Sequence, residues 1–139
     1  MLFTSETSLK VRYSETDQMG IVHHGNYAQY LELARIHWLS LLGISYKTME
    51  ENGVMLPIFT LDLKFKKSAF FDDELTVKTS LRKIPTVKIV FDYEIYNKNR
   101  ELLTTASTTL VFVDSETRKP VKCPTYLLEK IQNCDKSSV

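Results

Sequence analysis

Apolar and polar residues alternate through much of the chain, most clearly in four long segments at residues 58–65, 75–84, 87–96 and 101–113. In the first of these, Phe59, Leu61, Leu63 and Phe65 share one face and polar residues take the other, which is the two-residue period of a β-strand. A shorter segment at residues 8–13 alternates in the same way. The turns at 85–86 and 97–100 are short, and strands joined by short turns run antiparallel. The pattern therefore predicts an antiparallel sheet of about five strands.

One long helix is predicted between the first strand and the others. It begins after Asn26, a residue type that can cap a helix, and ends before Gly43. Its apolar residues recur at helical spacing in one stripe: Tyr27, Tyr30, Leu31, Ala34, Trp38, Leu41 and Leu42. The opposite side is mostly polar and includes Arg35, but it also carries Leu33, Ile36 and Leu39. A helix that is apolar beyond one face is covered on more than one side, here by its own sheet and by a partner subunit.

The order of elements limits the architecture. One strand, one long helix and four strands, with short helices at 46–52 and 125–133, leave too few helices for a doubly wound sheet. We predict an α+β fold in which the sheet wraps around the long apolar helix. Free sheet edges must be solvated or paired, which favours a dimer with a continuous sheet.

Composition excludes several classes of protein. The 139 residues suit a single domain, 1–139, and the net charge of +1 argues against a nucleic-acid binder. No apolar run is long enough to span a membrane, and the N-terminus does not resemble a signal peptide, so we expect a cytoplasmic protein. Cys123 and Cys134 form neither a disulfide framework nor a zinc-binding spacing, and we expect no metal site.

The residues that could carry chemistry are concentrated in the loop at 14–25 and at the helix start that follows it. Asp17 is a candidate general base or nucleophile, because a carboxylate is ionised at neutral pH. Backbone N–H groups at a helix start can stabilise an oxyanion, which makes Gly25, Asn26 and Tyr27 candidate substrate-binding residues. His24 could orient the same carbonyl group. Each residue also has an ordinary interpretation: Asp17 as a turn residue, the His23–His24 pair as loop residues, and Glu15 as a solvated side chain.

Several motifs resemble the hotdog-fold acyl-CoA thioesterases of the 4-hydroxybenzoyl-CoA thioesterase type, including the Tol–Pal-associated thioesterases of bacteria. The resemblance covers about residues 8–122 and rests on these features: Tyr13, Thr16-Asp17, Gly20-Ile21-Val22, His24, Asn26-Tyr27, the Glu32-x-Ala34-Arg35 run, Asp72-Asp73-Glu74-Leu75 and Val113-Asp114. It implies a hotdog fold, with Asp17 as the catalytic carboxylate and with His24 and Tyr13 beside the thioester.

The same resemblance implies an active site at a subunit interface of a homodimer or homotetramer. Coenzyme A is part of the substrate, and no other cofactor is expected. Lys83, Thr86 and Lys88, in the turn before the fourth strand, would bind its phosphates.

We therefore predict a hydrolase that cleaves acyl-CoA to free acid and coenzyme A. Two alternatives stay open at this point: a non-catalytic binder of acyl thioesters, and a hydratase or dehydratase acting on an acyl thioester. The choice between aliphatic and aromatic acyl groups, naphthoyl included, depends on pocket depth, which we expect four aromatic residues to set: Tyr30, Phe59, Phe70 and Phe71.

Overall fold

The computed structural model describes residues 3–137. The strands are β1 (Thr4–Lys10), β2 (Val54–Met55), β3 (Ile58–Phe65), β4 (Glu74–Leu81), β5 (Lys88–Tyr96), β6 (Leu102–Val111) and β7 (Val113–Asp114). The helices are α1 (Tyr27–Leu41), α2 (Tyr46–Glu51) and α3 (Thr125–Ser137), and two 3₁₀ turns, Tyr13–Glu15 and His24–Asn26, lie between β1 and α1.

The main sheet has five strands in the order β1-β4-β5-β6-β3, and every neighbouring pair is antiparallel. Strands β2 and β7 form a separate two-stranded ribbon. The long helix α1 packs against β1 and β4 on the inner face of the sheet. The predicted α+β architecture, an antiparallel sheet wrapped around one long helix, is confirmed.

The core lies between α1 and the inner face of the sheet. Trp38 is fully buried, its ring meets Phe91 edge-on at 5.0 Å between centroids, and its indole N–H donates to the Phe3 carbonyl at 3.0 Å. The apolar side chains of β4 and β5 alternate into this core, as the two-residue period predicts. The outer face of the sheet is polar, with ion pairs such as Lys78–Glu94 and Arg82–Asp92.

The buried side of α1 is rotated from the predicted stripe. Arg35 and Leu39, predicted on the opposite side, are only 3% and 1% exposed, whereas Leu41, predicted in the stripe, is 54% exposed. Apolar residues surround most of this helix, so their spacing defined the helical period but not which side faces the sheet.

Two boundaries also differ from the prediction. Strand β1 is Thr4–Lys10 rather than 8–13, because its polar first half pairs with β4 through backbone hydrogen bonds. Helix α3 continues four residues beyond the predicted end at Asn133.

Strand β3 forms one edge of the sheet, and most of its side chains are exposed. Three apolar residues on it, Phe59, Leu61 and Phe65, are 62%, 42% and 51% exposed. An exposed apolar edge strand of eight residues is a template for pairing with another chain. Within residues 3–137, no helix has both the length and the apolar character needed to cross a membrane.

Candidate active site

The loop between β1 and α1 folds into a compact hairpin. Thr16 and Val22 form a bridge at its base, and the Asp17 N–H donates to the Ile21 carbonyl at 2.8 Å. Gly20 turns the chain with φ of +78°, in the left-handed region that favours glycine. The Val22 N–H donates to the Ala69 carbonyl at 2.9 Å and so ties the hairpin to the segment that follows β3.

The Asp17 carboxylate is held by the backbone of this hairpin. Its Oδ1 accepts hydrogen bonds from the N–H groups of Met19 at 2.8 Å and Ile21 at 3.4 Å. Among the described residues, Oδ2 has no hydrogen-bond partner. Asp17 therefore adopts the turn conformation that its residue type favours, and one carboxylate oxygen is left for another ligand.

A cavity of about 300 Å³ lies between the hairpin, the start of α1 and the end of β3. Asp17 and His24 both line it, together with Tyr27, whose burial raises the pKa of its hydroxyl. The other lining residues are Met19, Ile21, Val22, Phe65, Lys66, Lys67 and Ser68. The structure thus brings together three of the site residues that the sequence predicts.

The turn before α1 uses most of its own backbone donors. The Gly25 N–H donates to His23 Nδ1 at 3.1 Å, and the Asn26 N–H donates to the His23 carbonyl at 3.0 Å. The Tyr27 N–H donates to the His24 carbonyl. Of the backbone donors expected around this helix start, only the N–H of His24 has no partner among the described residues. The rings of His23 and His24 stack with centroids 4.3 Å apart.

Tyr13 lies outside the cavity. Its side chain is 76% exposed and meets the Phe71 ring edge-on at 5.5 Å. Within one chain, the structure does not bring Tyr13 together with Asp17 and His24.

The residues predicted to bind phosphate lie at the other end of the sheet. Lys83 and Thr86 lie in the β4–β5 turn, and Lys88 is the first residue of β5. The Thr86 carbonyl accepts from the Cys123 N–H at 2.6 Å. The Lys88 Nζ lies 4.4 Å above the ring of Phe59, at the start of β3, whereas the Asp17 cavity includes Phe65 at its end. At about 3.3 Å per residue, these two positions on β3 are roughly 20 Å apart.

Two features of the site escaped the sequence analysis. Glu15, expected to be solvated, is only 6% exposed, because it folds back onto Arg12 and onto Tyr30 of α1. Burial alone would raise the pKa of Glu15, but the hydrogen bonds from Arg12 and Tyr30 bring it below its ordinary value. Lys66, Lys67 and Ser68 also line the cavity, because β3 ends beside it. The sequence suggests a solvated strand end or a phosphate contact for the basic pair Lys66-Lys67, but it does not reveal that the pair lies beside Asp17.

In the described part of the chain, no three His, Cys, Asp or Glu side chains converge as metal ligands would.

Comparison with known proteins defines the class to which this fold and this loop belong. Residues 11–131 match the Thioesterase-like superfamily. The chain is 36% identical over 121 residues to a Bacillus subtilis protein named "Putative acyl-CoA thioesterase YneP", covering 87% of this chain and 88% of that one. It is 30% identical over 117 residues to the acyl-CoA thioesterase YbgC of Haemophilus influenzae, covering 84% and 85%.

A solved structure extends the match to three dimensions. The DHNA-CoA thioesterase of Staphylococcus aureus superposes with a TM-score of 0.89 at 37% identity, over 98% of this chain and 95% of that one. The chain belongs to the Thioesterase-like superfamily. The predicted family, hotdog fold and thioester-hydrolase class are therefore confirmed.

Proposed function

We propose that the protein hydrolyses acyl-CoA thioesters, with Asp17 as the catalytic carboxylate. The observation that carries this proposal concerns two groups that have no hydrogen-bond partner within residues 3–137. They are Oδ2 of Asp17 and the backbone N–H of His24, and both residues line one cavity. A carboxylate next to an oxyanion donor is the minimum that acyl transfer to water requires.

The reaction can proceed by either of two routes. In the first, Asp17 takes a proton from water and the hydroxide adds to the thioester carbon, while the His24 N–H binds the developing oxyanion. The tetrahedral intermediate then collapses, the C–S bond breaks, and the coenzyme A thiolate takes the proton back from Asp17. In the second, Asp17 itself attacks the carbon and expels the thiolate, which takes a proton from solvent, and water then hydrolyses the mixed anhydride.

We assign positioning of the acyl group to His24, whose ring is held by stacking on His23. Tyr13 can contribute only from the rim of the site, because it lies outside the cavity of its own chain. An aromatic acyl-CoA is the first substrate to test. The rings of Tyr27 and Phe65, which line the cavity, meet edge-on at 5.0 Å, and the S. aureus relative is named for DHNA-CoA.

A homodimer formed through β3 would complete the coenzyme A site. Two copies related by a twofold axis pair this edge antiparallel, so the end of β3 in one chain meets the start of β3 in the other. With the axis at mid-strand, Phe65 lies about 5 Å from the partner's start of β3. The partner's Lys88 reaches that point, because Lys88 sits over Phe59. The partner's Lys83 and Thr86 lie in the turn just before that residue.

This proposal treats the whole chain, 1–139, as one hotdog thioesterase domain. Neither route calls for a cofactor beyond the coenzyme A of the substrate. A cytoplasmic location agrees with the buried, reduced thiol of Cys123, since reduced thiols are typical of that compartment.

The test is the variant Asp17→Asn, assayed for thiol release on a panel of aromatic and aliphatic acyl-CoAs. We expect kcat to fall by about 10²–10⁴-fold, the contribution of a positioned base. Asp114→Asn is the matched control, because Asp114 also accepts two backbone N–H bonds in a turn, at 2.9 Å each, but does not line the cavity. Wild-type turnover by Asp17→Asn would refute the proposal.

The same panel separates the two alternatives. A non-catalytic binder would bind acyl-CoA without releasing thiol from any chain length. A hydratase would remove the absorbance of an enoyl-CoA without producing free thiol.

A further inference from the structure

We infer that Glu15 is a positioning residue, which fixes the active-site loop to α1 and thereby sets the relative placement of Asp17 and His24. The inference rests on the proposed function. Glu15 Oε1 accepts hydrogen bonds from the Arg12 N–H at 2.8 Å and from the Tyr30 hydroxyl at 2.9 Å. Its Oε2 accepts two more from the Arg12 guanidinium, at 3.2 Å each. One carboxylate thus joins the end of β1 to the first turns of α1.

The backbone of Glu15 makes a second set of contacts, to the other end of the loop. Its carbonyl accepts from the His23 N–H at 2.9 Å and from the Asn26 side-chain amide at 2.8 Å. Asn26 therefore bonds Glu15 instead of capping α1 with its side chain. Asp17 follows Glu15 by two residues and His24 follows His23 by one, so Glu15 is bonded to the segments that carry both active-site groups.

Core packing holds this loop at Val22, which is 5% exposed, and polar contacts hold most of the rest. Met19 and Tyr13 are each 76% exposed, and His23 and His24 are exposed as well. Hydrogen bonds to an ionised carboxylate are shorter and stronger than those between neutral groups. The Glu15 cluster, defined as Arg12, Glu15 and Tyr30, is therefore a direct side-chain link between the start of the loop and α1.

The role of Glu15 is indirect, since it does not line the cavity that contains Asp17 and His24. Loss of its bonds frees the loop to move against α1 and misplaces the carboxylate relative to the oxyanion donor. A misplacement of about 1 Å can cost about 10²-fold in rate while the groups that bind the rest of the substrate are unchanged.

The experiment compares Glu15→Ala, Glu15→Gln and Tyr30→Phe with wild-type enzyme in the thiol-release assay, well below the midpoint of thermal unfolding. We expect Glu15→Ala to lower kcat by about 30- to 100-fold with KM changed by less than about threefold. Glu15→Gln keeps the acceptor oxygen and restores most of kcat. Tyr30→Phe removes one hydrogen bond and costs about fivefold.

Matched controls exist for both kinds of substitution. Glu94→Gln neutralises a carboxylate on the outer face of the sheet, and Tyr126→Phe removes a buried hydroxyl that has no hydrogen-bond partner in the described structure. The ring signals of His24 in a ¹H–¹³C NMR spectrum give a second readout. We expect them to shift in Glu15→Ala and Tyr30→Phe and to stay in place in both controls.

Two results would overturn the inference: wild-type kcat in folded Glu15→Ala and Tyr30→Phe, or unshifted His24 signals in both. A fall in thermal stability with kcat unchanged would likewise assign Glu15 a merely structural role. Failure of the proposed function looks different, because either the wild-type enzyme would release no thiol or Asp17→Asn would keep wild-type turnover. The His24 signals would still decide whether Glu15 positions the loop.

Discussion

If β3 pairs across a twofold axis, each active site takes Asp17 from one chain and the phosphate-binding lysines from the other. This arrangement can be tested by mixing two inactive variants. The first carries Asp17→Asn. The second carries Lys83→Glu, in the turn before β5, together with Lys88→Glu, at the first residue of β5. In a heterodimer of the two, one site combines a wild-type Asp17 with the wild-type lysines of the partner chain, and the other site carries every substitution.

The expected loss of activity in each variant follows from the interaction that the substitution removes. Each lost charge-assisted hydrogen bond to a phosphate costs about 1.5–3 kcal/mol, so the double lysine variant should lose about 100-fold or more in kcat/KM. Asp17→Asn should lose about 10²–10⁴-fold in kcat. One of the two sites in a heterodimer is intact, which predicts about half of the wild-type activity per dimer, well above either parent.

Co-expression with two different affinity tags allows the heterodimer to be purified and its thiol release measured. The control heterodimer pairs a wild-type chain with a chain that carries all three substitutions. It has the same composition, but sites shared between chains leave neither of its sites intact. Activity in the control and none in the first heterodimer would mean that each chain builds its own site, and the shared-site arrangement would be wrong.

Two further predictions concern the loop. In Gly25→Ala the new methyl group would lie 3.1 Å from His23 Nδ1, so the His23 ring, which stacks on His24, must shift by a few tenths of an ångström. We expect lower kcat at nearly unchanged unfolding free energy, measured by urea denaturation, and unchanged kcat would contradict this reasoning. The lowered pKa of Glu15 means that its ionised form stabilises the folded state above its ordinary pKa of about 4.5, and that this stabilisation is lost as the pH falls through the lower, folded-state value. The free energy of unfolding, measured by urea denaturation from pH 7 to pH 3, should therefore fall more steeply with pH for wild type than for Glu15→Gln. Equal slopes of this free energy against pH would contradict the reasoning.

The strands and the long helix could be predicted because their periods are local properties of the chain. On β4, Leu75 and Val77 point into the protein core, as the alternation in the sequence indicates, and both are fully buried. The rotation of α1 could not be predicted in the same way. Arg35 reaches the buried hydroxyl of Tyr93 at 3.2 Å, a contact 58 residues away in the sequence, and that contact depends on how the helix crosses the sheet.

The same difference between local pattern and long-range contact applies to the candidate site. Asp17, His24 and Tyr27 lie within eleven consecutive residues, and a short loop leading into a helix start keeps them close, so the sequence was enough to group them. Glu15 was misjudged because its burial depends on Tyr30, fifteen residues further on and one helical turn into α1. Lys66 could be grouped with the site only after the end of β3 was located beside the loop.

In the proposed homodimer, strand β3 would connect assembly to catalysis. It carries three exposed apolar side chains, Phe59, Leu61 and Phe65, on a sheet edge that only water covers in the single chain. The Asp17 cavity, with Lys66 and Lys67 in its wall, lies at one end of this strand, and Lys88 lies at the other end, so a single chain keeps Lys88 away from the carboxylate. A twofold axis through the middle of an edge strand always brings its opposite ends together. Under the proposed shared site, the pairing that covers the exposed edge would bring Lys83 and Lys88 of each chain to the cavity of the other. A chain that stayed monomeric would keep its loop geometry, with Lys66 and Lys67, but would lack those two lysines.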